Sequence, residues 1–104
     1  MEEVQTMSRS RMLMTACQSG DIETAKRLLS EKPQWVATTD KAGLQPIHYA
    51  AQGGHLEMVS FLLAAGARAE ALTIDGKNAM DFALINNHMN VANALWVEAG
   101  GSLH

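Results

Sequence analysis

Residues 40–66 read DKAGLQPIHYAAQGGHLEMVSFLLAAG, and 33 residues later, at 73–99, the chain reads TIDGKNAMDFALINNHMNVANALWVEA. With that offset Gly43 falls on Gly76, Ala50 on Ala83, His55 on His88 and Leu62 on Leu95. A fixed period of this length marks supersecondary units that bury their apolar faces only against one another. It moves the functional question from catalytic clusters to exposed surfaces.

Each unit carries its own helical punctuation. Asp40-Lys41-Ala42-Gly43 is turn chemistry, and Pro46 stands where the first turn of a helix accepts a proline. Ile47, Ala50 and Ala51 give the i, i+3, i+4 spacing of a short apolar helix face that ends at Gly53-Gly54. A second helix is expected from about His55 to Ala65, with Met58, Val59, Leu62 and Leu63 buried and Gly66 as its left-handed end. In the next unit Asp75-Gly76 is the turn. Helices follow over about Ala79–Ile85 and Met89–Glu98, the latter expected to point Val91, Ala92, Leu95 and Trp96 inward. The polar Asn87, Asn90, Asn93 and Glu98 make this unit read as a cap with a solvated outer face.

A third copy lies upstream, shifted by 34 residues rather than 33. Ala16 falls on Ala50, Cys17 on Ala51, Gly20 on Gly54 and Leu28-Leu29 on Leu62-Leu63. The extra residue belongs to the following loop near Ser30–Thr38, where Pro33 and Trp35 lie. Trp35 either packs over this unit or is exposed. Arg9, Arg11, Lys26 and Arg27 make it the N-terminal cap. The units are expected at about 9–38, 39–71 and 72–104 of a single domain.

The 104-residue chain is 47% hydrophobic and 5% aromatic, with Ala, Leu and Met abundant, which favours packed helices over a sandwich or barrel. Its net charge is −3, and the eight basic residues form no patch, so nucleic acid is not an expected partner. One cysteine precludes an internal disulfide, and MEEVQTMSRS has no apolar stretch of a signal peptide. No run is long enough to span a bilayer. A cytoplasmic monomer without membrane contact is the expectation, and Met1 with two polar caps suggests a complete small protein.

The second unit, Gly43-Leu44-Gln45-Pro46-Ile47-His48-Tyr49-Ala50-Ala51, then Gly54-His55-Leu56-Glu57-Met58-Val59 and Leu62-Leu63-Ala64-Ala65-Gly66-Ala67, resembles the ankyrin repeat. The family pattern is G-x-T-P-L-H-x-A-A, then G-H-x-E-V-V, then L-L-L-x-x-G-A. The resemblance covers about residues 9–100. It implies an all-α fold, an ankyrin-repeat solenoid of three stacked helix-turn-helix units joined by β-turn loops. Gln45 replaces the family threonine, and Asn78-Ala79-Met80-Asp81 replaces Thr-Pro-Leu-His. The family's local and inter-repeat hydrogen bonds at these positions are therefore expected to be lost at Gln45 and Asp81, leaving the third unit less rigid.

Other chemistry weighs little against the repeat. His48, His55, His88 and His104 hint at a metal site, but His55 and His88 are one position a unit apart, roughly 10 Å in stacked helices. No metal or other cofactor is expected. Cys17, His48 and Asp81 could be drawn as a catalytic triad, yet Cys17 matches the inward Ala51 and nothing supplies an oxyanion hole. The seven methionines read as core, and Gly100-Gly101 as a helix end.

The resemblance implies a non-catalytic protein-binding module, with inhibitor and regulatory adaptor as two forms. It implies a concave face formed by turn tips and first helices. By position these are Lys41, Leu44 and Gln45, then Ile74, Asp75, Lys77 and Asn78 on the tips. On the first helices they are Thr15, Gln18, Tyr49, Gln52, Phe82 and Ile85. Tyr49 and Phe82, with Ile85 one turn away, have the composition of interface anchors. Phe82 could instead fold back over its own proline-less unit. The rival classes are a homo-oligomer joined through Trp96 or the last helix, and an enzyme or metal protein using Cys17, His48 and Asp81.

Overall fold

The computed structural model describes residues 2–98 and 100, with side chains from Arg9 onward. Among these residues the elements are α1 (Glu2–Ser19), α2 (Ile22–Glu31), a 3₁₀ turn (Pro33–Ala37), α3 (Pro46–Gly53), α4 (Leu56–Ala64), α5 (Ala79–Ile85) and α6 (Met89–Glu98). Paired helices form three units, α1–α2, α3–α4 and α5–α6. The first helices stack in the order α1, α3, α5. Helices from all three units contribute to one apolar core. Leu13, Cys17, Ile47, Ala50, Ala51, Met58, Val59, Leu62, Ala79, Ala83, Val91 and Leu95 are almost wholly withdrawn from solvent. Small residues at Ala50, Ala51, Ala79 and Ala83 let short helices approach closely enough to share that core.

The local stops and starts follow from individual side chains. Asp21 begins α2 by accepting from the Thr24 N–H at 3.2 Å and the Thr24 hydroxyl at 2.6 Å. These bonds hold the Asp21 carboxyl below its ordinary range. Pro46 opens α3, and His48 Nδ1 accepts the Gln45 N–H at 2.7 Å. The 3₁₀ turn after α2 buries Val36 and packs half-buried Trp35 against the core. α1 begins at Glu2, upstream of the first unit's expected start: helix stands where the other units have a turn.

Three expectations need correction. Asp81 does remake a local tie. Asn78 Oδ1 accepts from the Asp81 N–H and Asp81 Oδ2 accepts from the Asn78 N–H, both at 2.9 Å, a reciprocal cap that replaces the missing proline start. Trp96 is not an inward plug but 44% exposed. The outer surface of the third unit is also not a purely polar cap. Asn87, Asn90, Asn93 and Glu98 are exposed, but so are Leu84, Met89 and Val97. Gly101 and His104 lie outside the described residues.

Candidate functional site

Two loop fingers flank the first helices. In the first, the Asp40 N–H donates to Leu44 O and the Gly43 N–H to Asp40 O, each at 3.0 Å. Asp40 Oδ1 accepts the Ala42 and Leu44 N–H groups at 2.9 Å. In the second finger, Thr73 takes over this role. Its N–H donates to Lys77 O at 2.9 Å, and its hydroxyl accepts the Lys77 N–H at 3.2 Å. The Ile74 N–H donates to Ala42 O at 3.0 Å, joining the fingers.

The fingers are fastened to the helices by two side chains. The Tyr49 hydroxyl, on α3, donates to Asp40 Oδ2. Burial and this bond to Asp40 push the Tyr49 phenol up to about 12. Burial works to raise the Asp40 carboxyl, but the Tyr49 hydroxyl and the backbone N–H donors outweigh it and leave it low. His48 reaches the other way. With Nδ1 accepting from Gln45, the proton sits on Nε2, which donates to Ala71 O at 2.9 Å at the base of the second finger. Burial lowers the His48 pKa despite that bond.

Between α1 and the first finger lies a groove of about 720 Å³. Ser10, Arg11, Met14, Thr15 and Gln18 of α1 form one wall, Thr39–Ala42 the other, and Tyr49 closes the end. Its lining is mixed, with more apolar than polar surface facing the groove. Arg11 and Lys41 stand at its rim, and neither forms an ion pair among the described residues. Asp40 is the carboxylate on its wall, already engaged by three donors.

Four of the thirteen positions expected at a partner face, Thr15, Gln18, Lys41 and Tyr49, line this groove together. Gln52 extends the row through its Oε1, which accepts from Gln18 Nε2 at 3.0 Å. Leu44 is half-buried in the first finger; Ile74 and Asp75 are exposed on the second, with Lys77 half-buried beside them. Phe82 is half-buried, its ring tilted 58° against that of His48 at 5.6 Å. It supports the buried histidine instead of standing free in an aromatic row. Ile85, by contrast, is 65% exposed at the end of α5.

Ser10, Arg11, Met14, Thr39, Asp40 and Ala42 also line the groove and were not anticipated. In the other units a finger precedes the first helix. In the first unit α1 continues upstream instead, so Ser10 and Arg11 take the place of finger residues. The one available signal was the missing turn before Met12.

The residues drawn as candidate chemistry are committed elsewhere. Cys17 is fully buried, and desolvation lifts its thiol to about 12, so it holds no thiolate at neutral pH. His55 Nε2 donates to Gln18 O at 2.9 Å and His88 Nε2 to Gln52 O at 3.1 Å, each tying its unit to the one before. Asp81 is bonded to its own helix start. Among the described residues no three His, Cys, Asp or Glu side chains converge as a metal site would require.

Comparison with known proteins gives one consistent picture. A family model described as ankyrin repeats (3 copies) matches residues 13–102. Ankyrin repeat domain-containing protein 49 from Homo sapiens is 43% identical over 65 residues, 62% of this chain and 27% of that protein. The human NAD-capped RNA hydrolase NUDT12 is 33% identical over 82 residues, 79% of this chain and 18% of the hydrolase. The chain thus spans less than a third of either relative. Among solved structures, one chain superposes with a TM-score of 0.78 at 32% identity, covering 86% of this chain and 46% of the other. It comes from the complex of the Bd0816 predatory endopeptidase of Bdellovibrio bacteriovorus with immunity protein Bd3460.

Proposed function

This chain belongs to the ankyrin-repeat family, and from that premise we propose that it is a non-catalytic module that holds a partner protein in the groove between α1 and the first finger. The observation that carries the reading is the groove itself: about 720 Å³ of recess in a frame fixed by Asp40, Tyr49 and His48. A preformed recess loses little ordering entropy when it is filled. Gln18 in its wall and Gln52 beside it offer amide donors and acceptors to a partner backbone, while Arg11 and Lys41 at the rim supply positive charge that pairs with no carboxylate among the described residues.

Within that reading, the finer role we favour is inhibition of a partner enzyme. Support comes from the similar chain found in a complex of an endopeptidase with an immunity protein. Inhibition needs no chemistry from the binder, only a surface that covers the partner's working face. Catalysis by this chain has no support, since the buried thiol, the histidines and Asp81 are engaged in the fold.

The test is affinity capture with mass spectrometry, run in parallel on the wild type, a groove variant (Thr15→Arg with Gln18→Glu) and an outer-face variant (Ser60→Arg). A protein retained by wild type and Ser60→Arg but lost from the groove variant supports the reading. Retention that ignores the groove substitutions, with helix content preserved, sinks it.

A further inference from the structure

The face that continues from the groove changes its chemistry one unit further along the stack. We infer that the partner segment held there is extended and of acidic–apolar composition. It places a carboxylate between Arg11 and Lys41 and a large apolar side chain, about one unit away, on Leu72, Ile74 and Ile85. The inference rests on the groove reading above and names the chemistry of what fills it.

The charged half is read from which groups already have partners. Arg11 and Lys41 are exposed at the groove and pair with no carboxylate among the described residues, whereas neighbouring Arg9 is held by Glu31 at 2.7 Å. The carboxylate in the lining is turned inward. Asp40 Oδ1 accepts two backbone N–H groups, and Oδ2 accepts the Tyr49 hydroxyl. Arg11 also lies near enough to Tyr49 to act on it: burial and Asp40 raise the phenol, and the guanidinium opposes them. The groove thus offers uncommitted positive charge in a chain whose net charge is −3. A single carboxylate matches such a pair of cations, while a nucleic-acid backbone would find no basic stripe to follow.

The apolar half follows from the repeat register. Thr39 and Lys41 of the groove wall correspond, 33 residues on, to Leu72 and Ile74 of the second finger. The bond from the Ile74 N–H to Ala42 O sets the two fingers side by side. On the helices, the 3.0 Å amide bond puts Gln18 and Gln52 in one row, and the next position of that row is Ile85. Leu72 is 62% exposed, Ile74 76% and Ile85 65%. Isolated exposed apolar residues need no explanation. These, however, stand where the groove has Thr39, Lys41 and Gln18, so an apolar patch continues a cationic one. Exposed Asp75 beside Ile74 adds negative charge at this end and keeps an acid at the other. Packed helices lie about 10 Å apart, which an extended chain crosses in about three residues at ~3.3 Å each. The segment should therefore carry Asp or Glu about three positions from a large apolar residue.

The probe is a phage-displayed library of random peptides of about twelve residues, long enough to cross the face when extended. It is selected in parallel on the wild type, on Arg11→Glu with Lys41→Glu, and on Leu72→Ser with Ile74→Ser and Ile85→Ser, each checked for helix content by circular dichroism. The wild type should enrich the acid–apolar pairing at least about threefold over the input, the scale of one exposed ion pair. The charge-reversed variant should exchange the acid for Lys or Arg and keep the apolar residue. The serine variant should keep the acid and lose the apolar preference; if it loses helix content, Ile74→Ser alone makes the comparison. Wild-type selection without the pairing, a pairing that neither variant alters, or a library that yields no binder overturns the inference. Peptides of other composition that fail on Thr15→Arg with Gln18→Glu overturn it and leave the groove reading standing. Peptides that bind that variant equally well remove the groove reading too.

Discussion

The Tyr49 hydroxyl donates to the Asp40 carboxylate and so fastens the first finger to the helix that ends the groove. Tyr49→Phe keeps the ring and removes only this bond. Both groups are partly solvated, so the loss should be about 1 kcal/mol. The Asp40 carboxyl, freed of one donor, should move back up toward its ordinary 3.8. Denaturant unfolding and NMR titration of Asp40 read the two effects. An unchanged Asp40 titration would show that the bond does not form.

The packing of His88 against Gly54 predicts a steric coupling. Gly54→Ala should cost more than the roughly 1–2 kcal/mol of placing an L-residue in left-handed backbone, because the new Cβ also displaces His88. In a His88→Ala background only the backbone part should remain. A double-mutant cycle measures the difference, and strict additivity would argue against the contact.

His48 gives the fold a dependence on mild acid. Its folded pKa lies below the ordinary 6.5 because burial disfavours the charged ring. The unfolded chain therefore binds the proton first, and stability conferred by neutral His48 is full above pH 6.5. It declines as the pH falls below that value, until the folded pKa is passed. Unfolding free energy measured from pH 8 to 5 should fall, and the His48→Gln variant, though weaker overall, should show a shallower slope. Equal slopes would remove His48 as a source.

Cys17 should be chemically silent. With its thiol buried and raised to about 12, iodoacetamide at pH 8 should label the native protein only through opening of the fold. Labelling should therefore accelerate with added urea in step with global stability. Rapid labelling of the folded chain would contradict the burial.

The sequence made the stack legible because its signals are local. Asp75-Gly76 and the apolar spacing of Val91, Ala92 and Leu95 place α5 and α6 at their observed bounds. The inward role of Cys17 was readable from its match to Ala51. What escaped depended on long-range neighbours. Trp96 shares its helix with Leu95, but its direction depends on what packs beside α6. Phe82 looked like a free anchor because its contact with the His48 ring crosses a unit boundary. Half of the groove was missed for a similar reason. Ser10, Arg11 and Met14 face a finger that is distant in sequence, and the second unit's pattern puts loop where Ser10 and Arg11 lie on a helix.

The central claim is that partner recognition runs through the groove, and isothermal titration calorimetry with the captured partner tests it most directly. Gln18→Glu and Arg11→Glu should each weaken binding at least about tenfold, ~1.4 kcal/mol, while Lys26→Ala and Ser60→Arg on the outer helices leave Kd within about twofold, a difference of ~0.4 kcal/mol. Groove variants that fold normally and bind as tightly as the wild type would contradict it.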